Sequence, residues 1–140
     1  MTATNSRSLI IEWGDCDPAG IVFYPRYFAM FDTSTTRLIE SVTGMRKADL
    51  IRAHDIIGWP MVKTEASFAS PASFGDEITI STSVAAVGRS SFRIAHSLFN
   101  KTILCIEASE TRVWAGADPD KPGAIRGLPI PDDVAAALRG

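Results

Sequence analysis

Residues 11–34, IEWGDCDPAGIVFYPRYFAMFDTS, set how the rest of the chain is read. They open on the end of an apolar run, Leu9-Ile10-Ile11-Glu12-Trp13, which predicts a first strand stopped by Gly14. Residues 14–25 then place two Pro, two Gly and two Asp around Ile21-Val22-Phe23. That composition predicts a structured turn with room for a first helical turn, not a flexible loop. From Arg26 to about residue 42 the period becomes helical, with Phe28, Phe31, Thr35, Leu38 and Val42 at three- and four-residue spacing. Gly44 follows as a C-terminal stop. Thr33-Ser34-Thr35-Thr36 is a run of small side chains that lets this helix approach another surface closely.

Upstream, residues 1–7 are polar and are expected to fray. Downstream, 47–54 predicts a shorter helix ending before Gly58. The period then becomes two: Val62, Thr64, Ala66 and Phe68 alternate with Lys63, Glu65 and Ser67, and Ile78, Ile80, Thr82 and Val84 with Glu77, Thr79, Ser81 and Ser83. Phe92, Ile94, His96 and Leu98 make a further strand, and 102–114 a long last one. Ser70-Pro71, Phe74-Gly75-Asp76, Gly88 and Asn100-Lys101 are the turns between them. The tail is expected to be irregular up to Pro131 and helical over 132–138. Strand, long helix, short helix and four antiparallel strands make an α+β layer pair. A helix of about 17 residues is roughly 25 Å long, enough to cross a five-stranded sheet that wraps it. The sheet's other face and edges still need covering, which points to an oligomer.

Length and composition agree with one domain, residues 1–140. At 46% apolar and 21% charged, the chain lies in the globular range and outside the disordered or fibrous classes. Lys plus Arg number 14 against 16 Asp plus Glu, a net charge of -2. That balance gives no footprint for nucleic acid or an anionic membrane. Two cysteines make neither a disulfide framework nor a zinc site, and no apolar run reaches the length of a membrane span. With no signal-peptide grammar at the start, the expected compartment is the cytoplasm.

The densest group of reactive side chains is Gly14-Asp15-Cys16-Asp17-Pro18-Ala19-Gly20. Asp17 before Pro18 has the form of a helix N-cap followed by the first helical residue, the reading the local pattern favours over a catalytic carboxylate in a tight turn. Asp15 reads as a structural acceptor and Cys16 as a small packed thiol, since no His or basic residue accompanies it at a useful spacing. His54 and His96 sit in no metal-ligand spacing, and no nucleophile elbow is present. His96 is expected as a partly buried sheet residue. Asp32 lies near the helix's apolar stripe, so it either turns to solvent or meets a specific polar partner.

The segment from Asp15 to Tyr27 fits D-x-D-x-x-G-[IV]-V-x-[YH]-x-x-Y, and with the strand before it and the helix after it resembles the N-terminal signature of the 4-hydroxybenzoyl-CoA thioesterase family of hotdog-fold enzymes. The likeness continues more loosely through GWPMVKTEASFASPASFGDEITI and RSSFRIAHS, covering about residues 8–132. It implies a hotdog, an antiparallel sheet wrapped around one long helix. It also implies hydrolysis of a small aromatic acyl-CoA, of hydroxybenzoyl type, to the acid and free CoA. Carried over by position, Asp17 is the catalytic carboxylate, acting as nucleophile on the thioester carbonyl or as base for water. The oxyanion donor is the backbone N–H of Tyr24, with Pro25 expected at the first helical position. A thioester is already activated, so a placed carboxylate and one such donor suffice without a triad. Asp32 matches the acceptor for a phenolic hydroxyl, with Phe28 and Phe31 expected to frame a flat apolar slot.

At the CoA end the chain departs from that pattern. A run of three basic residues is reduced to Arg89 in Gly88-Arg89-Ser90-Ser91-Phe92. Arg89, Ser91 and Arg126 are the residues left to hold the nucleotide phosphates. The resemblance implies no metal or redox cofactor, CoA being part of the substrate. It also implies a dimer of dimers with the pocket at a subunit interface, so that Asp17 and Asp32 come from different subunits. Two other readings remain open on the sequence: a thioesterase for short or medium aliphatic acyl-CoA or acyl carrier protein, and an acyl-CoA binder without catalysis.

Overall fold

The computed structural model describes residues 2–140. Five antiparallel strands, β1 (Thr4–Ile10), β2 (Met61–Phe68), β3 (Glu77–Val87), β4 (Ser91–Asn100) and β5 (Ile103–Val113), form one sheet in the order β1-β3-β4-β5-β2. Against one face lies the 20-residue helix α1 (Tyr24–Thr43), with α2 (Lys47–His54) following it and α3 (Asp132–Arg139) at the end of the chain. This is the hotdog expected, an α+β fold with β1 and β2 as the sheet's open edges.

The first strand starts earlier than its apolar run. Residues 4–7 do not fray: β1 pairs with β3 from Thr4↔Ser83 to Ile10↔Glu77. Arg7 explains why a polar strand is held, since its Nε donates to Ser34 Oγ at 2.7 Å and its Nη2 to the Met30 carbonyl at 2.9 Å. Helix α1 also starts two residues before the expected Arg26, with Phe23 as its extended N-cap and Pro25 in the second helical position instead of the first. Either position suits proline, because neither N–H has an intrahelical acceptor. The helix ends at Gly44, whose φ of 70° is the left-handed cap expected there. Its buried face is Tyr27, Met30, Phe31, Ser34, Thr35, Leu38 and Ile39, so the stripe is rotated and leaves Phe28 and Val42 at its margins. The tail is more ordered than expected. β6 (Ala115–Ala117) pairs with β7 (Ile125–Gly127), strands too short to leave an alternation in the sequence.

The core is two apolar clusters. One, around Tyr27, Phe31, Ile78, Leu98 and Ile106, lies under the start of α1, and the other, around Leu38, Trp59, Phe92, Trp114 and Val134, under its end. Between them runs a belt of buried polar residues drawn from four elements: Thr35 on α1, Thr82 on β3, His96 on β4, Glu110 and Arg112 on β5. Each occupies an inward position of its element, where an apolar residue would contribute about 1.5–3 kcal/mol by burial. The belt must satisfy its own hydrogen bonds to be tolerated.

Candidate active site

Residues 15–23 fold back as a miniature hairpin. Asp17 N–H donates to Ile21 O at 2.9 Å, Cys16 and Val22 form an isolated bridge, and Phe23 N–H donates to Asp15 O at 2.9 Å. Its turn is Asp17-Pro18-Ala19-Gly20, closed by Gly20 N–H on Asp17 O at 2.9 Å, with Gly20 at φ 81°. Asp first, Pro second and a left-handed Gly at the close are the residues that turn demands. The reading of Asp17 as a helix N-cap is therefore overturned, because the helix begins only at Tyr24. Asp17 Oδ1 instead accepts Ala19 N–H at 2.8 Å, and its second oxygen has no partner among the described residues. Asp15 is the structural acceptor expected, taking Glu12 N–H on Oδ2 at 2.9 Å. Cys16 packs against the apolar cluster under the start of α1.

Tyr24 opens α1, where its N–H has no acceptor in the helical pattern and the helix dipole favours negative charge. Tyr24, Phe28 and Asp32 are spaced four apart and share one face of the helix, turned toward β2 and β5. Phe28 meets Phe68 of β2 edge-on at 6.4 Å, and Asp32 Oδ1 meets Arg112 Nη2 of β5 at 2.8 Å. An apolar groove of about 350 Å³ runs beside this face, lined by Ile21, Val22, Tyr24, Tyr27 and Phe68. Tyr27 takes the Ala72 N–H on its hydroxyl oxygen at 3.0 Å, and burial pushes its phenol up. Phe31 is not on the exposed face. It is 1% exposed and stacks on His96 at 4.7 Å, leaving Phe28 as the partly open aromatic beside Asp32. A larger cleft of about 700 Å³ lies at the opposite, β1 edge of the helix, lined by Arg7, Glu12, Asp15, Arg26 and Met30.

Sequence reading missed what stands behind Asp32. Its side chain is 57% exposed yet paired with a guanidinium that is 7% exposed. Arg112 Nη2 also donates to Glu110 Oε2 at 3.1 Å, and Nη1 to the Trp59 carbonyl at 3.3 Å. Glu110 Oε1 takes a very short hydrogen bond from Thr35 Oγ1 and lies 3.3 Å from His96 Nε2. His96, fully buried instead of partly so, reaches Thr82 Oγ1 through Nδ1 at 2.8 Å. Burial pushes the Glu110 carboxyl up, but hydrogen bonds from His96, Arg112 and Thr35 outweigh it and hold the group below the usual carboxylate range. The signal was present in β5, where Glu110 and Arg112 continue the inward parity of Ile106 and Ala108.

Arg89 and Ser91 sit at the β3–β4 turn and Arg126 on β7. The Ile130 N–H donates to Arg89 O at 2.8 Å and Gly127 packs on Ser90, so the two segments are neighbours. Both arginines are exposed and neither forms an ion pair among the described residues. His54 lies apart, edge-on to Trp114 at 5.6 Å. Among the described residues no group of three or more His, Cys, Asp or Glu gathers as a metal site would, and no helix is long and apolar enough to cross a membrane.

The family model described as thioesterase-like superfamily matches residues 11–138. A 4-hydroxybenzoyl-CoA thioesterase of Pseudomonas sp. (strain CBS-3) is 34% identical over 128 residues, 88% of this chain and 89% of the relative. An Asp-to-Asn mutant of 4-hydroxybenzoyl CoA thioesterase, solved in complex with 4-hydroxybenzoyl CoA, superimposes with a TM-score of 0.89 at 30% identity, covering 97% of this chain and 99% of that one. A gentisyl-coenzyme A thioesterase structure gives 0.82 at 30% identity over 96% and 99%.

Proposed function

Because the chain belongs to the thioesterase-like superfamily, we propose that it hydrolyses a small aromatic acyl-CoA, of 4-hydroxybenzoyl type, to the acid and free CoA. The observation that carries this reading is the helix face Tyr24-Phe28-Asp32. From the amide at the start of α1 to the Asp32 carboxylate is eight helical residues, about 12 Å, the span of a para-hydroxylated benzoyl group with one hydrogen bond at each end. Phe28 supplies the apolar wall between, with Phe31 packed behind it. The two relatives named for hydroxylated benzoyl-type substrates support the same class.

In this reading Tyr24 N–H donates to the thioester oxygen as charge develops on it. The Asp17 carboxylate attacks the carbonyl carbon and expels CoA thiolate, leaving a mixed anhydride that water opens. In the other route the same carboxylate takes a proton from a water that attacks directly. A first-turnover burst of thiol ahead of acid marks the first route. Arg89, Ser91 and Arg126 hold the CoA phosphates on adjoining segments, and the reading needs no metal or redox cofactor. Strand β2 is an open edge carrying exposed Met61, Val62 and Phe68, which supports a homo-oligomer, dimers joining into a tetramer, with Asp17 of one protomer facing α1 of another. The enzyme would work in the cytoplasm, where its two thiols, Cys16 and Cys105, stay reduced.

The test is free-thiol release from a panel of CoA thioesters: 4-hydroxybenzoyl, other hydroxybenzoyl, benzoyl, phenylacetyl and aliphatic. The expected order is 4-hydroxybenzoyl first and aliphatic last. Fast aliphatic turnover would move the substrate class, and no release from any thioester would leave a binder.

A further inference from the structure

We infer that Arg112 is a positioning residue for substrate selection, fixing the Asp32 carboxylate so that one oxygen is occupied and the other is left to accept a hydroxyl at the far end of the acyl group. The inference rests on the reading of Asp32 as the acyl group's polar partner. Four side chains, joined by three contacts, close a ring through the backbone of α1: Asp32 and Thr35, three apart on α1, and Glu110 and Arg112, two apart on β5. The ring is anchored inside by His96 on Glu110 and by the Trp59 carbonyl on Arg112. An ion pair with an exposed carboxylate contributes little to stability, and a buried guanidinium is costly to desolvate. Stability is therefore a poor account of why the inward end of β5 carries Glu110 and Arg112. What the ring does supply is a fixed direction. Arg112 Nη2 holds Asp32 Oδ1 at 2.8 Å, and Asp32 Oδ2 has no partner among the described residues. A carboxylate with one oxygen pinned can discriminate a hydroxylated from an unsubstituted ring, because the analogue leaves the free acceptor unpaired. A freely turning carboxylate would spread that preference over many geometries.

The experiment compares kcat/KM for 4-hydroxybenzoyl-CoA and benzoyl-CoA in the intact protein and in Asp32→Asn, Arg112→Gln, Arg112→Lys and the double variant Arg112→Gln with Asp32→Asn. The ratio of the two substrates is expected to fall about tenfold in Arg112→Gln, the worth of one misaligned hydrogen bond. Arg112→Lys, which keeps the charge but not the fork, should recover part of that ratio. In the double variant the ratio should fall no further than in Asp32→Asn alone, as for two residues acting through one contact. A merely structural role would lower both substrates alike and leave the ratio in place, which overturns the inference. Additive losses in the double variant overturn it too. If Asp32→Asn itself leaves the ratio unchanged, the reading of Asp32 falls first and the inference with it. Should Arg112→Gln fail to fold by circular dichroism, Arg112→Lys carries the same comparison, and an unchanged ratio there overturns the inference.

Discussion

The hairpin that presents Asp17 is held by backbone hydrogen bonds among residues 15–23, whereas Asp32 is held by side chains reaching α1 from β5, with Thr35 and Glu110 75 positions apart. In the hairpin each residue's own conformational preference is the cause: Pro18 and Gly20 fix the turn, and Asp17 closes it with one oxygen. In the belt no residue would be stable where it is without its partner. Residues 15–23 can thus vary the chemistry of Asp17 at little cost to folding, while a change in the belt reaches the core between its two apolar clusters.

The sharpest way to break this contrast is at Asp17. Asp17→Asn keeps an oxygen for the Ala19 N–H, so the turn survives, but removes the negative charge that attack on a thioester requires. On the reading proposed, kcat falls about 10³-fold, roughly 4 kcal/mol in barrier, with the urea midpoint within error of the parent. Near-normal turnover would remove Asp17 from the mechanism. Glu110→Ala should do the reverse. It strands Arg112 and His96 without a shared acceptor, and breaking a buried pair in this way costs about 3–5 kcal/mol of stability by urea denaturation. Replacing Glu110 and Arg112 together by Gln and Met should recover much of that loss, since no buried charge is left over.

The same contrast explains what was legible in advance. Strand β3, strand β4 and the two short helices follow from periodicity and turn residues, which act over a few positions. The composition of residues 14–25 marked a structured turn but not the hairpin it belongs to, because Asp17-Pro18 suits a helix start and a turn alike, and only Gly20 at the close separates the two. Arg7 and the belt were not legible. Their meaning lies in partners set by sheet order and by which way α1 is rotated: His96 faces Thr82 across β3–β4, and Thr35 meets Glu110 only because the helix turns its small residues inward. Asp32 stood between two readings for that reason, and the structure gives it both exposure and a partner.

Acidification should separate the two regions as well. The folded Glu110 carboxyl lies below its ordinary range, so its contribution is complete above the unfolded value of about 4.3 and is lost as pH falls through the lower folded value. Chemical denaturation between pH 6 and pH 3 should show stability falling through the acid range, with a shallower fall in Glu110→Gln. An equal fall in both would place the acid-sensitive group elsewhere.

The smallest effect is expected at Gly20. Its φ of 81° is in the left-handed region, and a Cβ there would meet nothing within 4 Å, so strain alone opposes a side chain. Gly20→Ala should cost about 1 kcal/mol, read as a small drop in the urea midpoint. Its effect on turnover should exceed what that stability loss implies, because relief of the strain would re-aim the turn that carries Asp17. Gly20→Asn, better suited to the left-handed region, should recover both readings together. If Gly20→Ala lowers stability and leaves kcat untouched, the hairpin holds the chain in place but does not aim its carboxylate, and the difference between the two regions reduces to stability alone.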